Sequence, residues 1–258
     1  MRFKFNSKPL PVTEYRKHWQ KWQAFPVAEQ LATIEQQIVD PLIAKKFGQH
    51  LLQISMAGSP PLHQKSFIEN KTLLEFEYPV VGSERTIISR PDDLSIGNET
   101  IDCLILHHVL EFSEDPHKIL RESLRVLVSG GQLFILGFNP YSFWGLRKLL
   151  TVRNEAPWSG TYYSQYRLAD WLRLLDLKLE KTRFGFFNLP IKQGTFPGRF
   201  KQVEAIGRNY NCFFGGVYVM VARKQVGGLI PLQKRWAGPR IMSFPVSEPT
   251  TRNLAKTE

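Results

Sequence analysis

Residues 101–140 read IDCLILHHVLEF, then SEDPHKILRESLRVLVSGG, then QLFILGFNP. Ile101 to Val109 is an almost unbroken apolar run, too short to cross a membrane and rich in branched residues. It predicts a strand buried on both faces. Asp115 and Pro116 give a helix start: a carboxylate at the N-cap, then proline at the first helical position, where its missing N–H costs nothing. Ile119, Leu120, Leu124, Leu127 and Val128 recur at helical spacing, while Arg121, Glu122 and Arg125 fall on the outer face. Gly130 and Gly131 are expected to stop this helix, and Gln132 to Gly137 reads as a second buried strand. Two buried strands joined by one helix are most economically parallel, with a right-handed crossover. The stretch predicts the centre of a parallel α/β sheet.

Upstream, YRKHWQKWQA opens a basic and aromatic helix, followed by Val27 to Phe47, where Leu31, Ile34, Ile38, Leu42 and Ile43 recur at helical spacing. Pro41 marks a kink or break in it. His50 to Ser55 reads as a short strand. Ser59 and Pro60 suggest a capped helix running to about Asn70. Thr72 to Tyr78 and Arg85 to Ser89 follow as strands. Downstream come a helix of FWGLRKLL type, an amphipathic helix at Gln165 to Leu175, and two closing strands at Leu177 to Phe187 and Cys212 to Arg223. Residues 188–210 read as a loop. The expected organisation is an N-terminal helical extension or lid at 1–47, one α/β domain at 48–224, and a disordered tail at 225–258, whose composition lacks any period.

The 258 residues carry 34 basic and 23 acidic side chains, a net charge of +11. Such a surplus suits an acidic partner, nucleic acid first, or is spread over the surface and aids solubility. Tyr15, Trp19 and Trp22 interleave with Arg16, Lys17 and Lys21. That pattern fits single-stranded nucleic acid or, as the preferred reading, a lid helix that uses its aromatic face to cover the domain. No run of about 18 apolar residues exists, so no membrane partner is expected. No leader is visible at the N-terminus, and Cys103 and Cys212 stand alone, so the cytoplasm is the expected compartment. Patterns of the HExxH, CxxC, GxSxG or GxxxxGK[ST] kind are absent.

In an open parallel sheet, ligands bind beyond the carboxyl ends of the strands. The run from Pro91 to Pro140 resembles the middle of the class I S-adenosylmethionine-dependent methyltransferases, small-molecule type. Asp93-Leu94-Ser95-Ile96, Asp102, Arg125-Val126-Leu127 and Gly130-Gly131 fall in the register of that family. The resemblance implies a Rossmann-like, mostly parallel seven-stranded sheet with helices on both faces. S-adenosylmethionine is the implied cofactor and a small molecule the implied methyl acceptor. It implies cofactor contacts from Ser55, Ala57 and Gly58 after the first strand, Glu77 (or Glu75) after the second, Asp92 after the third, and His107. One glycine, Gly58, stands where the family has several, and Arg90 rather than an acid takes the adenine position, with Asp92 two residues on.

His108 aligns with the histidine of the family's HV pair. It is the candidate catalytic base for an acceptor that must lose a proton, or part of the pocket floor, or a histidine bonded to a neighbouring loop. Adjacent strand residues point to opposite faces, so His107 and His108 are not expected to share a metal. Asn139 is expected to start a turn. Two other functions remain open: a methyltransferase-like domain that binds without catalysing, and an RNA-binding protein or RNA methyltransferase.

Overall fold

The computed structural model describes residues 12–56, 58–75, 86–150, 156–188 and 199–225. The expected tail lies almost wholly outside them. Two helices come first, α1 (Val12–Gln23) and α2 (Pro26–Ile43). Pro41 sits in the last turn of α2, where only one backbone bond is lost, so the helix ends there rather than kinking.

Seven strands follow: β1 (His50–Ser55), β2 (Asn70–Glu75), β3 (Thr86–Ile88), β4 (Ile101–His107), β5 (Leu127–Phe138), β6 (Leu177–Gly185) and β7 (Val217–Lys224). They form one sheet in the order β3-β2-β1-β4-β5-β7-β6. Every strand is parallel except β7, which runs antiparallel to both β5 and β6. The order steps away from β1 on one side and from β4 on the other. The topological switch point therefore lies between these two strands, at their carboxyl ends.

Alternation along the strands fills both faces of the sheet. Leu52, Ile54, Leu104, Leu106, Leu133 and Ile135 cluster with α3 (Pro116–Val126) and α5 (Gln165–Leu174) through Ile119, Leu120, Leu168 and Leu172. Leu51, Cys103, Ile105, Phe134 and Leu136 instead meet Ile38, Val39 and Ile43 of α2. Between β5 and β6 lie α4 (Phe143–Leu150) and α5, and α6 (Arg199–Asn209) precedes β7.

Three expectations are corrected. Helix α3 stops at Val126, well before the glycines: Leu127 is already extended and opens β5, which pairs with Ile101. Gly130, with a left-handed φ of 82°, serves an irregularity in that strand, where the register shifts between Ile101 and Cys103. The segment read as a loop at 188–210 contains α6. No helix follows Ser59: residues 60–69 are turns and irregular chain, because Pro60 and Pro61 remove two donors in a row and the side chain of Gln53 supplies the missing order. Its amide donates to Ser55 Oγ at 2.8 Å and to the Pro60 carbonyl at 3.1 Å. Its carbonyl oxygen accepts from the Leu62 N–H at 2.8 Å. Gln53→Leu strips these groups of their partners in a buried setting. It is expected to cost about 2–3 kcal/mol, read as a lower urea midpoint at unchanged slope.

Arg125, expected on the solvent face, turns inward to hold the loop before β4. Its guanidinium donates to the carbonyls of Leu94 and Ile96, each at 2.9 Å, and is braced by Glu122 at 2.8 Å. Arg125→Ala is expected to lower Tm by about 5 °C, as about 2 kcal/mol does in a domain of this size.

Candidate functional site

The carboxyl ends of β1, β4 and β5 meet beneath α1. β4 ends at His107, and His108 leaves the strand with a left-handed φ of 55°. That one residue undoes the alternation expected of neighbours in a strand. Both imidazoles turn to the same side and meet the two oxygens of one carboxylate, Glu35 of α2. His107 Nε2 lies 2.9 Å from Glu35 Oε2, and His108 Nε2 lies 2.7 Å from Glu35 Oε1. The alternation expected to hold these two histidines apart does not operate here: a ligand atom from each of the three residues lies within 4.8 Å of the others.

His108 faces a second carboxylate through its other nitrogen, with Nδ1 3.3 Å from Glu111 Oε1. The same oxygen accepts from the Phe138 N–H at 2.7 Å, tying the cluster to β5. The enclosure is almost complete: Glu35 is 1% exposed, His107 2% and His108 0%. Burial raises the pKa of Glu35, but the charges of His108 and His107 outweigh it and hold the group at about 2. Burial lowers that of His108, and Glu35, then Glu111, reverse the effect and carry it to about 10. An imidazolium held between carboxylates is the form this arrangement favours in the absence of another cation.

The roof is aromatic. Trp19 lies 5.4 Å from the His108 ring, 5.3 Å from Phe112 and 5.0 Å from Trp22, and Phe138 stacks on His108 at 4.3 Å, all between centroids. Trp19 is 2% exposed and Trp22 7%, so neither presents a face on which a base could stack; both cover the sheet. Trp19 Nε1 donates to Ser59 Oγ at 3.2 Å, and the Gln23 amide donates to the same oxygen at 3.3 Å. Gly58 adopts a left-handed φ of 79°, and the space its side chain would take is held by Gln23, whose Oε1 would stand 2.7 Å from a Cβ. Helix α1 thus spans the switch point from the turn after β1 to the end of β4.

The predicted cofactor residues are only partly gathered here. Ser55 and Gly58 flank the turn after β1, and His107 closes β4. Asp92 lies in the loop after β3, engaged with the Arg90 guanidinium at 2.9 and 3.0 Å. Ala57 and Glu77 lie outside the described residues. Glu35 escaped the sequence reading, and Glu111, in the segment that follows β4, was given no role of its own. The signal for Glu35 was present: it occupies a position of the apolar stripe of α2, between Leu31 and Ile38. On the far side of Glu111, Lys148 donates to the Trp158 and Gly160 carbonyls; burial lowers its pKa to about 8 against the opposing charge of Glu111. Asn139 does start a turn, accepting from the Tyr141 N–H at 3.0 Å, and its amide holds the Gly215 carbonyl at 2.9 Å.

Residues 70–135 match the family model of a methyltransferase domain. The uncharacterized protein YafS of Escherichia coli is 33% identical over 153 residues, 58% of this chain and 62% of that relative, so the match spans less than two thirds of its length. A SAM-dependent methyltransferase from Thermotoga maritima, described as a possible histamine N-methyltransferase, superposes with a TM-score of 0.61 at 16% identity. It covers 82% of this chain and 97% of its own. A second, from Archaeoglobus fulgidus, gives 0.55 at 13% identity over 80% and 99%. The matched segment is that of a methyltransferase domain, and the fold is the one these S-adenosylmethionine-dependent methyltransferases share. Where that fold opens its crevice, this chain has Trp19 and Gln23.

Proposed function

We propose that this chain, with a methyltransferase domain at 70–135 on a class I fold, transfers a methyl group from S-adenosylmethionine to a small-molecule acceptor. The observation that carries the reading is the strand order, with its switch point between β1 and β4 and α1 lying over it. Residues 1–47 then act as the lid of a domain at 48–224. On this reading Ser55, Ala57 and Gly58 border the methionine moiety, Glu77 the ribose and Asp92 the adenine, with His107 beneath. The protein's task is to position the reactants and exclude water, since a sulfonium is already activated for in-line displacement. His108, whose ring nitrogens both face carboxylates, takes the proton of an acceptor that must lose one only after giving up its own to Glu35 or Glu111. The lone cysteines suit a reducing cytoplasm, and no helix among the described residues is long and apolar enough to cross a membrane.

Calorimetric titration of the full chain with S-adenosylmethionine and S-adenosylhomocysteine tests the reading. Micromolar binding is expected, severalfold tighter in Gln23→Ala, which frees the approach to Gly58, and weaker in Asp92→Ala. No heat of binding with either protein would leave the second reading, favoured by the filled crevice: a methyltransferase-like domain that has given up the cofactor and binds something else.

A further inference from the structure

We propose that Glu35, His107 and His108 form a binding site for one divalent transition-metal ion, which pins α2 to the end of β4. The proposal does not depend on methyl transfer. Two imidazole nitrogens and the two oxygens of one carboxylate make up to four donors, the borderline nitrogen and oxygen set that suits zinc, cobalt, nickel or ferrous iron rather than magnesium or calcium.

Three features distinguish this cluster from an ordinary buried hydrogen-bonded histidine. The first is backbone geometry. Only the left-handed turn at His108, φ 55°, brings two consecutive imidazoles to one side, and such a conformation costs a residue other than glycine about 1 kcal/mol or more. The second is the partner behind the ligand. His108 presents Nε2 to the cluster and Nδ1 to Glu111 Oε1, itself fixed by the Phe138 N–H. A carboxylate behind a histidine in this way sets its tautomer and strengthens it as a donor. The third is charge and enclosure. An ion of charge +2 on Glu35 and two neutral imidazoles leaves one positive charge, which Glu111 offsets. Phe138 and Trp19 pack on the His108 ring, with Phe112 against Trp19, and the ring is closed off from solvent. The atoms that now share protons are those that would face the ion.

The test uses the full chain stripped with a strong chelator, then titrated with Zn²⁺ alone and with Co²⁺ alone. One equivalent of each is expected, with a rise in Tm. Co²⁺ should give d–d absorption without a thiolate charge-transfer band and should shift and broaden the ring resonances of His107 and His108. Glu111→Gln, which removes no ligand, is expected to weaken Zn²⁺ binding about tenfold or more; Glu35→Gln should abolish the stoichiometric site. Failure of the wild-type protein to take up either ion saturably overturns the proposal. So does an equivalent of Zn²⁺ held with unchanged affinity by folded Glu35→Gln, since the ion then sits elsewhere. Should Glu35→Gln not fold, the Co²⁺ resonances decide alone: unperturbed His107 and His108 rings in a loaded protein refute the site.

Discussion

Glu35→Leu is expected to destabilise the protein by about 3–5 kcal/mol, among the largest effects of any single substitution in the chain. The reason is asymmetry. A buried pair exchanged as a whole for apolar groups can be neutral, but removal of one partner strands the other in a medium that cannot solvate it. Glu35 is the common partner of His107 and His108, and both rings are closed off from solvent. A loss of this size lowers Tm by about 10 °C or more in a domain of this length, measurable by calorimetry or by circular dichroism. A shift of less than about 2 °C would mean that the histidines need no counter-charge.

Trp19→Ala is expected to cost about 3–5 kcal/mol, the usual range for emptying a buried tryptophan site. Its consequences are local as well as global. Trp19 touches Trp22, His108, Phe112 and Phe138 and bonds Ser59, so its removal takes away most of what seats α1 at the switch point. The near-ultraviolet dichroism of the aromatic cluster should collapse while the far-ultraviolet signal of the sheet persists. Backbone amides at the carboxyl ends of β1 and β4 should lose protection from hydrogen exchange at the same time. Unchanged protection there would show that α1 contributes little to closing the crevice.

The sheet was legible in the sequence because its centre is written in local signals. An apolar run, an N-cap of Asp115 followed by Pro116, and a second apolar run are each decided by a few neighbouring residues. The Asp115 side chain does accept from the N–H groups of His117 and Lys118, each at 3.1 Å. The end of α3 was misplaced because Gly130 announces a left-handed residue without saying whether it ends a helix or interrupts a strand. α6 escaped because it lies in a stretch of glycine, proline and basic residues. The candidate site was half visible. His107 and His108 sit at the end of a recognisable strand, but their joint orientation depends on one dihedral angle that no side-chain pattern reports. Their partner Glu35 lies 73 positions from His108 along the chain, on an element with its own amphipathic logic. Burial there reverses the usual meaning of a glutamate, from solvated face to internal counter-charge.

The backbone at position 108 has a further consequence for which variants the protein can tolerate. Glycine adopts a left-handed φ freely, and asparagine, aspartate and histidine are the other residues found there most often; of these only histidine carries an imidazole. Residues that could replace the ring's bulk, such as phenylalanine or leucine, accept that backbone poorly and bring no nitrogen for Glu35 or Glu111. Every exchange at this position forfeits either the turn or the two ring nitrogens that meet Glu35 and Glu111, so a randomised library selected for a folded product should return histidine there far above chance.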